Sequence, residues 1–156
     1  MFAKRLAATA TAVTATAVVG GLAGSGADDP WFRRLRKPAF QPPGAAFPVV
    51  WTALYADIAV STAATLEQMH RPRERAAYQR ALALNLVLNA GWTWTFFKAR
   101  QLPAAVVAAG ALAASSADLA RRSRDASPRA AVALVPYAGW CGFATFLSAT
   151  LWRLNR

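Results

Sequence analysis

Asn85, Asn89, Trp92 and Phe96 recur at intervals of four, three and four, so a helix carries all four on one face. Two carboxamides and an indole N–H offer hydrogen bonding without proton transfer, and they sit in a stretch free of charged residues. In hydrocarbon an unsatisfied polar group costs several kcal/mol at worst, so this face points inward. Two roles stay open for it: interhelical hydrogen bonds, worth only about 0.6 kcal/mol each, or contact with a bound molecule. Trp51 and Tyr55 form an i, i+4 pair, and Trp140, Ala144 and Leu147 make a third inward stripe. Asp57 lies about ten residues into its apolar run, and a carboxylate at that depth is a functional candidate. It is also roughly 200° around the helix from Tyr55, which turns it toward a neighbouring helix.

Other chemistry is sparse. His70, the only histidine, precedes Arg71-Pro72 in a loop and reads as a solvated side chain. Cys141, the only cysteine, excludes an intrachain disulfide and a thiolate zinc cluster, and reads as a buried inert thiol. No phosphate-binding glycine loop, pair of catalytic carboxylates or metal cluster is present. The expectation is no catalytic residue, no metal and no required cofactor.

Stepping outward from these residues, the 156-residue chain is 56% hydrophobic, with 18 Lys+Arg against 7 Asp+Glu and a net charge of +11. The basic residues fall in short clusters between apolar runs, which argues against nucleic acid and for contact with anionic lipid headgroups. The runs predict helices over about 6–27, 47–67, 79–99, 102–120 and 129–153, each near the ~20 residues that cross a bilayer. The chain therefore reads as a single all-α domain over residues 1–156, an integral membrane bundle of five transmembrane helices with a long structured loop between the first two. The short, Ala-rich fourth run reaches across by including Asp118 and Leu119, with Arg121 and Arg122 at the headgroups. Lys4-Arg5, an apolar stretch and Ala23-Gly24-Ser25-Gly26-Ala27 also resemble a secretory signal and its cleavage site. The apolar part is longer than a usual signal core, and we expect a retained helix. The basic residues divide ten to eight between the two sides, too evenly to assign an orientation. Pro136 is expected to bend the last helix. Gly139 and Gly142 are expected to allow close helix approach, and Gly91, Gly110 and the many Ala of the fourth run supply small faces for helix contact or dimerisation.

The segment after the first run is rich in aromatic residues and proline. Pro38, Pro42 and Pro43 fix φ and remove three donors, while Trp31, Phe32 and Phe40 give the segment an apolar side. It suits either an interfacial aromatic belt with basic lipid contacts or a lid over a cavity. Trp31-Phe32, Leu35, Lys37-Pro38, Pro42-Pro43, Phe47, Trp51 and Leu54-Tyr55 resemble the signature of the tryptophan-rich sensory protein/translocator protein family, once called peripheral benzodiazepine receptors. The resemblance continues through Leu84-Asn85, Asn89-Ala90-Gly91-Trp92, Phe96-Phe97, Arg100-Gln101 and Pro136-Tyr137-Ala138-Gly139-Trp140, and ends at Trp152-Arg153 and Asn155.

That resemblance implies five transmembrane helices with the first retained, in a multi-pass protein of a bacterial cell membrane, and a homodimer. It implies an intrabundle cavity that takes porphyrins such as protoporphyrin IX, haem and similar planar hydrophobic molecules as ligands. The matching positions are Trp51, Tyr55, Asn85, Asn89, Trp92, Phe96, Trp140, Ala144 and Leu147, under a lid containing Trp31, Phe32, Lys37, Pro38, Phe40, Pro42 and Pro43. An indole suits a tetrapyrrole, with a flat face to stack and an N–H for a propionate or carbonyl. Reported light-dependent porphyrin breakdown in some bacterial members implies Trp51 and Trp140 as participants, should this chain share it. A third possibility is ligand sensing through partners without transport. Four positions depart from the family pattern: Ala149 replaces the Tyr of a proposed sterol motif, Ser148 stands where many members have Asn, Ala104 where animal members have Trp, and Asp57 lies within the second run. Sterol is therefore discounted as the main ligand.

Overall fold

The computed structural model describes residues 1–24 and 26–156; Ser25, in the middle of the cleavage-like stretch, lies outside the described residues. Among those described there is no strand. The elements in chain order are α1 (Phe2–Gly21), a single 3₁₀ turn (Gly26–Asp28), α2 (Pro30–Arg34), α3 (Ala46–Gln68), α4 (Pro72–Thr93), a π-helical turn (Trp94–Lys98), α5 (Leu102–Ser123), α6 (Pro128–Ala133) and α7 (Val135–Leu154).

Among the described residues, three segments are long and apolar enough to cross a membrane: Ala46–Gln68, Leu102–Ser123 and the nearly continuous Pro128–Leu154. The other two long helices fall short of that for reasons visible in their composition. Helix α4 opens with Arg73, Glu74, Arg75 and Arg80, and α1 carries Lys4 and Arg5 in a run dominated by Ala and Thr. Helix α1 also ends at Gly21, earlier than its apolar run, because Leu22 and Ala23 close it with a turn.

Prolines open α2, α4, α5 and α6, where the missing N–H has no intrahelical partner to lose. Asp29 caps α2 by accepting from the backbone N–H groups of Trp31 (2.7 Å) and Phe32 (3.3 Å). The last helix is interrupted at Leu134, two residues before Pro136, where α6 gives way to α7.

Packing is most extensive between α5 and α7, where Gly110 faces Thr145 and a Cβ there would make an ordinary contact at 3.8 Å. The expectation for Gly139 and Gly142 is corrected, since a Cβ at either would meet nothing within 4 Å. The same holds for Gly91.

Helix α1 has two different neighbours along its length. At its start, Arg5 pairs with Glu67 and the Thr9 hydroxyl donates to the Ala59 carbonyl of α3 at 2.8 Å. At its end, the Trp94 indole donates to the Val19 carbonyl at 2.7 Å, and Gly20 sits against Thr93. The helix thus crosses from α3 to the end of α4.

Candidate functional site

At the end of the bundle near α2, a cavity of about 680 Å³ lies between α1, α3, α4, the π turn and α7. Its walls include Trp51, Tyr55, Trp92, Phe96, Trp140, Ala144 and Leu147, seven of the nine inward positions read from the sequence. The rings contact one another around it. Trp51 lies 5.5 Å from Tyr55 and 6.2 Å from Trp92, Trp92 lies 5.9 Å from Phe96, and Trp140 lies 5.9 Å from Phe47. Each such pair contributes about 0.5–1.5 kcal/mol beyond its buried area, so the walls hold their shape without a guest. The Trp92 Nε1 is buried and has no acceptor among the described residues. A buried donor left this way costs about 1–3 kcal/mol unless something accepts from it.

Asn85 and Asn89 stand behind the cavity wall, 0% and 1% exposed. The Tyr55 hydroxyl donates to Asn89 Oδ1 (2.9 Å), Asn89 Nδ2 donates to the Tyr137 hydroxyl (3.3 Å), and that hydroxyl donates to Asn85 Oδ1 (2.8 Å). Asn85 Nδ2 in turn reaches Ser115 (3.2 Å) and Ser116 (3.0 Å) on α5. The carboxamides therefore tie α3, α4, α5 and α7 together. Asp57 is outside the cavity as well; its Oδ1 accepts from Ser61 at 2.8 Å, while Oδ2 is buried without a partner. His70 belongs to the loop between α3 and α4, and Cys141 is fully buried beside Ser116.

The proline-rich segment forms a roof. Phe32 enters the cavity wall and meets Phe96 at 5.8 Å, and Trp31 meets the same ring edge-on at 5.7 Å. Phe40 stacks on Phe146 at 5.2 Å, and the Lys37 ammonium sits over Phe32 at 5.0 Å. Pro38, Pro42 and Pro43 shape the return from α2 to α3 without lining the cavity. Two ties hold the roof. Arg100, in a left-handed conformation (φ 56°), lies over Trp31 at 5.6 Å and 4.0 Å from Asp29. At the other end Asn155 accepts from the Arg36 N–H (2.9 Å) and donates to the Arg36 carbonyl (3.0 Å). At about 1 kcal/mol for each of these two bonds, Asn155→Ala is expected to raise hydrogen exchange across residues 31–43 by roughly thirtyfold, leaving the amides of α5 unchanged.

A family model described as the TspO/MBR family matches residues 8–153. The chain belongs to the TspO/MBR family. Relatives include a membrane protein of Bacillus subtilis, YtaB, 31% identical over 82% of this chain and 82% of its own. The translocator protein of Ovis aries is 31% identical over 81% of this chain and 75% of its own, and the tryptophan-rich protein TspO of Bacillus cereus is 30% identical over 82% of each. This TspO/MBR protein is an integral, multi-pass membrane protein with bacterial relatives.

Several wall residues of this family member escape a reading by side-chain chemistry. Phe143, Ser148 and Leu151 extend the stripe of Trp140, Ala144 and Leu147 by the same three-and-four spacing, so periodicity carried to the end of α7 would have included them. Phe97 had no such signal. The π turn at Trp94–Lys98 inserts a residue into the helical register and brings both Phe96 and Phe97 to the cavity. Ala17, Gly20 and Gly21 of α1 also line it, with no functional group to mark them.

Proposed function

We propose that this TspO/MBR protein spans the membrane with five helices, α1, α3, α4, α5 and α6–α7, and binds planar hydrophobic ligands of the tetrapyrrole class within the bundle. Protoporphyrin IX and haem are the ligands of choice, and the activity is reception or carriage of them in tetrapyrrole regulation or transport. The observation that supports this best is an aromatic cavity of about 680 Å³ walled by Trp51, Trp92 and Trp140. That size falls within the ~300–1,000 Å³ of ligand sites, which are mainly apolar with a few placed polar groups. A macrocycle lies against the indole faces, and a propionate or carbonyl accepts from Trp92. Arg33, Arg34, Arg36 and Lys37 on the roof draw an anionic pigment toward this end of the bundle. The protein acts as a homodimer, for which the open outward face at Gly91 is suited.

The test is quenching of intrinsic fluorescence by protoporphyrin IX in purified, detergent-solubilised protein. Saturable quenching is expected, and Trp92→Phe should weaken it about tenfold, the ~1.4 kcal/mol of one hydrogen bond. Absence of saturable quenching by both porphyrin and haem rejects the reading.

A second reading rests on the oxidisable indoles of Trp51 and Trp140 in the same wall. Illuminated porphyrin would then be degraded, and spectral conversion that disappears in Trp51→Phe and Trp140→Phe would favour this over binding alone.

A further inference from the structure

We infer that the cavity exchanges its contents sideways with the lipid leaflet on the roof side, through a slot between the end of α1 and the start of α3. The crossing of α1 creates the slot. Its first half is fixed to α3 by Arg5–Glu67 and the Thr9–Ala59 bond, but its second half is fixed to α4 by Trp94 and Thr93. The inferred slot is bordered by Ala17, Gly20 and Gly21 on one side and Gly44, Ala45 and Pro48 on the other, all of them cavity wall. Gly21, Ala45 and Pro48 are exposed, so the cavity surface continues there to the outside of the bundle.

What lies outside is decided by the rim. Val18 is 58% exposed, Leu22 69% and Val49 71%. An apolar rim of this kind faces acyl chains and repels a polar solute. The roof, by contrast, is tied at Asp29, Arg100 and Asn155 and covered by stacked rings, so the path through it requires breaking those ties. A guest dissolved in the membrane passes this apolar rim and then meets glycine, alanine and proline on its way in.

Gly21 is the place to test this, since a Cβ there meets nothing within 4 Å and a large side chain fits without displacing the helix. The full chain is reconstituted in phosphatidylcholine vesicles, and protoporphyrin IX is supplied from donor vesicles while tryptophan quenching is followed in time. This arm rests on the proposed pigment binding. Gly21→Phe is expected to slow uptake and release together by about tenfold or more, as an obstacle on the path does. Loss of a wall contact would speed release instead. Asn155→Ala should leave the uptake rate unchanged. An unchanged rate in Gly21→Phe, with faster uptake in Asn155→Ala, overturns the inference in favour of passage through the roof.

Should protoporphyrin not bind at all, the proposed function fails and a second arm decides the slot. In vesicles of brominated phosphatidylcholine, quenching of Trp51, Trp92 and Trp140 requires acyl chains to reach the cavity. Total quenching smaller in Gly21→Phe than in the parent supports the slot; equal quenching in the two overturns it.

Discussion

Ala144→Phe is expected to abolish porphyrin binding, weakening it at least about a hundredfold, or ~2.7 kcal/mol. Ala144 forms part of the cavity wall on α7, between Trp140 and Leu147. A phenyl ring added there projects into unfilled space, so it takes the volume a macrocycle would occupy and displaces no packed neighbour. Overpacking of a filled core costs about 1–3 kcal/mol; here that strain is absent, and the melting temperature should stay within ~2 °C of the parent. The measurement is protoporphyrin quenching alongside thermal unfolding in the same detergent. A variant that melts normally and still binds pigment with the parent affinity would place the pigment elsewhere.

The largest loss of stability is expected at Asn85. Replacement by Ala removes the acceptor for the Tyr137 hydroxyl and the donor to Ser115 and Ser116, three bonds in a fully buried position. Each such bond between membrane helices averages only about 0.6 kcal/mol, but the groups left behind remain buried without partners. The sum is roughly 2–3 kcal/mol, counting the void from the lost carboxamide. Tyr137→Phe keeps the ring and removes one hydroxyl, so it should cost about 1 kcal/mol. Thermal unfolding of the two variants in one detergent checks the order; Tyr137→Phe melting below Asn85→Ala would show that the hydroxyl, and not the carboxamide, organises the network.

Much of this architecture can be read from residue types and spacing. Long apolar runs punctuated by Arg and Pro give the helical segments, because backbone polar groups in lipid need internal partners. Rings repeating at three and four residues give the aromatic walls, because one helical face is all a cavity can see. Other parts are invisible at that level. Asn85 and Asn89 lie on the same face as Trp92, yet their polar atoms are taken by Tyr55, Tyr137, Ser115 and Ser116, and only the packing of four helices decides that. The register change at Trp94–Lys98 defeats any fixed period. The path of α1 is set in part by an indole reaching the Val19 carbonyl, a contact across 75 positions that no local pattern announces.

The chain of bonds from Tyr55 through Asn89 and Tyr137 to Asn85 has a bearing on what the protein can do with a cargo. It closes the cavity on the side away from the roof, where Tyr78, Thr65 and Ser123 form another buried polar cluster nearer the opposite end. On the proposed reading, a flat pigment held there meets this polar network on its far side and leaves from the end at which it entered. Directional pumping would demand that four helices part; lending a molecule to an enzyme or partner on the same face of the membrane would demand nothing of the kind.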